Sequence, residues 1–261
     1  QNPIDRRFHA QPLACPQCGP QLSWHDQREN LSAEAALNAA VHALQAGKII
    51  AVKGIGGYHL MVDAACTPAI QHLRQRKGRP DKPLAVLFPT QGPDELEAMR
   101  GWVQLTALEA DLLRSPQRPI VLAMAQQRPG LSPAIAPKLQ ELGVMLPYSP
   151  LHYLLLAQMQ RPLVATSANI SGEPVLTDNA EVEQRLKTVA DGFLHHNRPI
   201  ARPADDPVFR QIDGQMQPVR LGRGGSPLEL DLPFTLDCAT LAVGGQMKAT
   251  LALAWGQRVV I

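Results

Sequence analysis

The chain has 261 residues, 45% of them hydrophobic and 18% charged, enough for one large globular domain with appendages. Its net charge of +2 excludes a bulk electrostatic case for nucleic-acid or membrane binding, so any basic site is local. No apolar run reaches the roughly 18–20 residues a bilayer span needs, and the few, unevenly placed cysteines do not make a secreted disulfide framework, so a reducing cytoplasm is expected.

Residues 1–29 are polar, proline-bearing and without period. The start, QNPIDRRF, has neither an initiator Met nor a signal-peptide pattern, which reads as a piece of a longer protein. Cys15-Pro-Gln-Cys18-Gly is a CxxC knuckle of the kind that supplies half a tetrahedral Zn²⁺ site. The chain holds no second CxxC; His9 and His25 are candidates to complete the set, and a cysteine pair upstream is the other source. Cys66 and Cys238 read as small apolar residues.

A helix capped by Ser32 follows, with Leu37, Val41 and Leu44 at helical spacing and Gly47 as its stop. Strand Ile49–Val52 leads into Lys53-Gly54-Ile55-Gly56-Gly57. This stretch is either a plain turn or a place where backbone approaches a ligand beside the Lys53 charge. Strand Tyr58–Ala64 precedes a helix capped by Thr67, with Pro68 at its first position. That helix runs into RQRKGRPDKPLAV, where Arg74, Arg76, Lys77, Arg79 and Lys82 crowd together with only Asp81 opposing them. Cations in a last helical turn offset the macrodipole by ~0.3–1 kcal/mol each. That accounts for Arg74, Arg76 and Lys77 but not for Arg79 and Lys82, which lie past the Gly78 stop and point to an anion site.

Helices are expected at Asp94–Met99 and Trp102–Leu113, then strand Pro119–Ala125, a proline-rich loop and strand Leu142–Leu146. Ser149-Pro150 opens an apolar helix to Met159. Strand Pro162–Ala165 runs into Thr166-Ser167-Ala168-Asn169-Ile170-Ser171-Gly172, polar groups at a buried strand end, where α/β proteins put ligand contacts or simply turn the chain. An amphipathic helix Asp178–Val189 precedes strand Phe193–Arg198, whose His195 and His196 point to opposite faces. After Asp205-Asp206 comes a hairpin turning at Asp213-Gly214 and ending in a basic cluster, Arg220 and Arg223 among glycines. Two positive clusters and a hydroxyl-rich strand end form a kit for a triphosphate. Pro227 to Pro233 reads as a linker, and the remainder as two alternating strands joined at Trp255-Gly256.

KGxGGYHL, RxRKxRxxKPLAV, GVMLPYSPLHYLLL, PLVATSANISGEP and FLHHNRPIARPADDPV together resemble the YrdC-like domain over about Ala40 to Pro227. The narrower similarity is to its version in the HypF family of hydrogenase-maturation carbamoyltransferases. The flanks look like the end of that family's zinc-finger region and the first hairpin of its Kae1-like domain. The resemblance implies an α/β fold with a twisted mixed sheet flanked by helices, divided as residues 1–29, 30–229 and 230–261.

It also implies ATP-dependent adenylation of carbamate, itself derived from carbamoyl phosphate, with Mg²⁺ on the triphosphate. The carbamoyl group then passes to the C-terminal cysteine of HypE on the way to cyanide ligands. By the same resemblance Lys77, Arg79, Ser167 and Asn169 carry the catalytic role, and the charges of Lys53, Lys82, Arg220 and Arg223, with Tyr58 and Thr166, are expected to hold the nucleotide. Cys15 and Cys18 hold zinc, and Asp205 and Asp206 are the carboxylates nearest for Mg²⁺. The family usually has Ser where this chain has Pro207, and an RGY-type hairpin end where it has Arg223-Gly224-Gly225. Two alternatives remain: a threonylcarbamoyl-adenylate synthase for tRNA modification, and a module binding double-stranded RNA. The 4% aromatic content argues against the second.

Overall fold

The computed structural model describes residues 19–126, 128–169, 173–245 and 249–261; Cys15 and Cys18 lie outside these, so their zinc role has no structural counterpart here. The first described elements are strands Leu22–His25 (β1) and Asn30–Ser32 (β2), an antiparallel hairpin in a stretch that reads as aperiodic. Asp26 makes its turn: the carboxylate accepts from the backbone N–H groups of Arg28 and Glu29 and from the indole N–H of Trp24. Trp24 is 2% exposed and lies on Gly192, where a Cβ would stand 2.2 Å from the indole; only glycine admits the ring.

Helix Ala33–Gln45 (α1) buries Ala36, Leu37, Ala40, Val41 and Leu44, the stripe its periodicity predicts, although the Ser32 hydroxyl makes no cap bond. Strands Ile50–Lys53 (β3) and Tyr58–Asp63 (β4) are buried throughout. Helix Thr67–Lys77 (α2) starts at the expected cap itself, one residue earlier than expected, and ends at Gly78 in the left-handed region. Strand Ala85–Leu87 (β5) follows.

The two helices expected between Asp94 and Leu113 are corrected. The first is a single 3₁₀ turn, Glu97–Met99, and the second splits into strand Val103–Gln104 (β6) and helix Ala107–Arg114 (α3). Thr106 and Glu109 form a capping box that sets the helix start past Trp102. Next come strands Ile120–Ala125 (β7) and Glu141–Met145 (β8), helix Pro150–Met159 (α4) and strand Leu163–Ser167 (β9). Helix Asn179–Leu186 (α5) and strands Gly192–His196 (β10), Val208–Ile212 (β11) and Gln215–Arg220 (β12) complete the body.

These strands form one mixed sheet in the order β12-β11-β7-β8-β5-β9-β4-β3-β10-β1-β2, with β6 beside β7. The β3–β10, β5–β8 and β7–β11 pairs are parallel and the rest antiparallel. Strand alternation sorts the core into two layers. Met61, Leu163, Ala165 and Leu194 pack under α1 and α4; Tyr58, Leu60, Val62 and Phe193 pack with α2, α3 and α5.

Glu229–Val243 (β13) and Leu251–Val260 (β14) form a separate antiparallel hairpin. The expected linker is therefore the start of a strand. Trp255-Gly256 is not the turn either: it lies inside β14, where Gly256 faces Leu236 beside a register shift, with φ +54°. A bulge and a turn draw on the same glycine signal. No helix among the described residues is long and apolar enough to cross a membrane.

Candidate functional site

Helices α1 and α4 cover only part of their face of the sheet. Beyond them Ala85, Ile120, Leu122 and Gly143 floor a pocket of 330 Å³. Arg79, Lys82 and Pro83 stand on one side, Thr166 and Ser167 at the end of β9, and Asp205, Asp206 and Arg220 across from them.

The cationic loop divides by contact. Arg74 is 8% exposed and is not a solvated helix-end charge: its guanidinium donates to the carbonyls of Arg79, Pro80, Lys82, Ala134 and Ile135, binding two loops together. Arg76 pairs with Asp191 at 2.8 Å. The Lys77 ammonium, also buried, donates to the carbonyls of Ser167 and Asn169 and to Asn169 Oδ1, fastening the end of α2 to the end of β9. Asn169 Oδ1 in turn accepts from the Ser167 hydroxyl at 2.8 Å. Lys77 and Asn169 thus brace the pocket edge from behind Ser167. Arg79 lines the cavity itself, held by the Pro83 carbonyl at 2.6 Å. Burial, then the neighbouring Arg74 and Arg220, pull its pKa down to about 10, so it stays charged at neutral pH under pressure from like charge.

The facing wall is an ion network. Asp206 accepts from His59 at 2.8 Å and from Arg223 at 3.2 Å, while Arg220 donates twice to the Asp206 carbonyl. Burial raises the carboxyl's pKa, but His59 and Arg223 outweigh it and hold the group well below the usual carboxylate range. The Arg223 guanidinium stacks on Tyr148 at 3.4 Å, so Arg223 supports the wall through Asp206 rather than lining the cavity. Asp206, one of the two expected Mg²⁺ carboxylates, thus has one oxygen on His59 and the other on Arg223. His59 and Tyr148 both line the pocket and neither was singled out by residue pattern; alternation from Tyr58 places His59 on the pocket face.

Lys53 is not brought to the pocket. It lies on the other face of the sheet, donating to Asn179 Oδ1 and to the His196 carbonyl. Tyr58 belongs to the pocket wall, yet its hydroxyl is engaged on that same far face with Asn179 and His195.

Behind the wall, His152 is fully buried with both ring nitrogens unpartnered, and burial lowers its pKa to about 3. Unfolded, the ring takes its proton near 6.5. Its contribution to stability is therefore complete above pH 6.5 and lost as pH falls towards the folded value, by about 1.4 kcal/mol per pH unit. His152→Phe is expected to flatten this acid limb in urea unfolding followed from neutral to mildly acidic pH. An unchanged slope would show that the ring does not remain neutral in the fold.

Residues 42–222 match the Sua5/YciO/YrdC family profile, described as telomere recombination, and residues 1–25 match one described as HypF finger. The carbamoyltransferase HypF of Rhodobacter capsulatus is 46% identical over 255 residues, 97% of this chain and 33% of that protein. A threonylcarbamoyl-AMP synthase of Stenotrophomonas maltophilia is 29% identical over 169 residues, 62% of this chain and 86% of that protein. A crystal structure of full-length HypF in the phosphate- and nucleotide-bound form matches with a TM-score of 0.87 at 40% identity, covering 99% of this chain and 33% of that one. The chain thus spans about one third of the length of the HypF proteins it matches. A mixed sheet with helices on both faces, and a profile match across most of its strands, make this chain a member of the Sua5/YciO/YrdC family.

Proposed function

We propose that the pocket binds ATP and that the chain adenylates carbamate. The observation that carries this reading is the convergence of Arg79 and Arg220 on a cavity whose far end is lined by Thr166 and Ser167, with Ser167 on the same face of the sheet as His59. Guanidinium groups held against one another favour an anion between them, and planar forks suit phosphate oxygens. In the reaction a carbamate oxygen attacks the α-phosphorus of ATP, the bond to the β-phosphate oxygen breaks, and carbamoyl-adenylate and pyrophosphate form. Arg79, Arg220 and Lys82 neutralise the charge that builds on pyrophosphate, and Ser167 orients the carbamate. Lys77 and Asn169 hold Ser167 in position. Mg²⁺ accompanies the triphosphate.

The similarity to HypF carbamoyltransferases motivates the rest of the reading. Residues 30–229 form the adenylating unit, residues 1–29 close a zinc-finger region through Cys15 and Cys18, and 230–261 begin a Kae1-like unit. The carbamate derives from carbamoyl phosphate, the acceptor is the C-terminal cysteine of HypE, and the setting is cytoplasmic.

A threonylcarbamoyl-adenylate synthase is the second reading, motivated by the similarity to an enzyme of that class over most of its length. Mass spectrometry of the adenylate formed from ATP separates the two. Carbamoyl-adenylate from ammonium carbamate is the expected product; an adenylate formed only with bicarbonate and threonine would reverse the assignment.

A further inference from the structure

We propose that His25, Glu183 and His195 form a binding site for one divalent transition-metal ion of the zinc class, on the face of the sheet opposite the nucleotide pocket. His25 pairs with Phe193 and Ser23 with His195 across β1 and β10, so His25 and His195 share a face, offset diagonally by one strand. Helix α5 crosses that face and supplies Glu183. Oε1 of Glu183 lies 2.7 Å from His25 Nδ1 and 2.9 Å from His195 Nε2, and the three donor atoms all fall within 4.8 Å of one another.

The hydrogen bonds around His195 suit the same assignment. The Lys53 ammonium donates to Asn179 Oδ1 at 2.7 Å, which fixes that amide with its oxygen inward. Tyr58 has one hydroxyl proton and spends it on the same oxygen at 2.7 Å. Its contact with His195 Nδ1, at 2.6 Å, must then be accepted, so Nδ1 carries the ring proton. The neutral ring is left with a lone pair on Nε2, aimed at a carboxylate oxygen that offers only lone pairs. A cation between them resolves the conflict. A proton held between the ring and the Glu183 carboxylate is the other resolution, and the metal titration below separates the two.

The donor set fits the assignment. Two imidazoles and one carboxylate suit zinc and its first-row neighbours, with the fourth position left to water. The His25 and Glu183 side chains are each 37% exposed, so the ion has a path in. Donors around tetrahedral zinc stand about 3.3 Å apart, a small spreading that these two half-exposed side chains permit. The Nδ1–H of His195 resting on Tyr58, itself tied to Asn179 and Lys53, is the outer support that metal-bound imidazoles require. Bound here, the ion clamps the β1–β2 hairpin to α5 and the sheet edge.

The test uses the whole 261-residue chain carrying Cys15→Ser and Cys18→Ser, which removes the thiolate pair as a competing site. Elemental analysis after equilibration with Zn²⁺ is expected to give one equivalent. Co²⁺ is expected to show ligand-field bands without thiolate charge transfer. His25→Gln and Glu183→Gln should each abolish this binding while the metal-free proteins keep the melting temperature of their parent. Tyr58→Phe should weaken it by about 10- to 100-fold. Absence of a bound ion in the chain carrying Cys15→Ser and Cys18→Ser, or an ion that survives both His25→Gln and Glu183→Gln, would overturn the proposal.

Discussion

Arg79→Ala is expected to lower ATP affinity roughly 10- to 150-fold, the loss of about 1.5–3 kcal/mol that a hydrogen bond to a charged group supplies. Its melting temperature should stay close to the parent's. Arg79 lines the cavity and its own contacts are the loop carbonyls of Lys82 and Pro83, so truncation removes charge from the site without opening the core. Arg79→Lys should recover only part of the affinity, because an ammonium keeps the charge but not the planar fork. Calorimetric titration with ATP is the check. Unchanged affinity in Arg79→Ala would mean that the loop cation serves only its own backbone.

Arg74→Met is expected to do the reverse and destabilise the protein by at least about 3 kcal/mol, since buried carbonyls left without donors cost roughly 1–3 kcal/mol each. The methionine fills much of the space, so the loss is of hydrogen bonds rather than volume. The carbonyls of Ala134 and Ile135 belong to one loop and those of Arg79, Pro80 and Lys82 to another; the guanidinium is the joint between them. Chemical denaturation read by fluorescence of the buried Trp24 measures the effect. A loss below 1 kcal/mol would return Arg74 to the status of a surface charge. Two arginines five positions apart in one basic run thus have opposite roles, one structural and one facing the ligand.

What the sequence discloses and what it hides follows range of action. The apolar stripe of α1, the glycine that stops α2 and the proline opening α4 act within a few residues, and each is legible. The β1–β2 hairpin is not, because Trp24 is buried through Gly192, a residue far along the chain. In the site, the charge excess of the basic loop and the polar end of β9 are visible as composition. Their partition is not: Lys77 turns inward to Ser167 and Asn169, and Lys53 falls on the wrong face of the sheet, for reasons of register that only pairing of the strands reveals. Asp206 looks like a metal carboxylate in sequence because the side chains that engage it, His59 and Arg223, come from elsewhere in the chain.

The pocket's assignment to adenylation rests on chemistry at the α-phosphate, and pyrophosphate reports that chemistry directly. The chain, supplied with ATP and Mg²⁺, is expected to release pyrophosphate when ammonium carbamate is added, and Arg79→Ala is expected to suppress the release. Release that requires threonine with bicarbonate, or none with either acceptor while ATP still binds, would contradict the account.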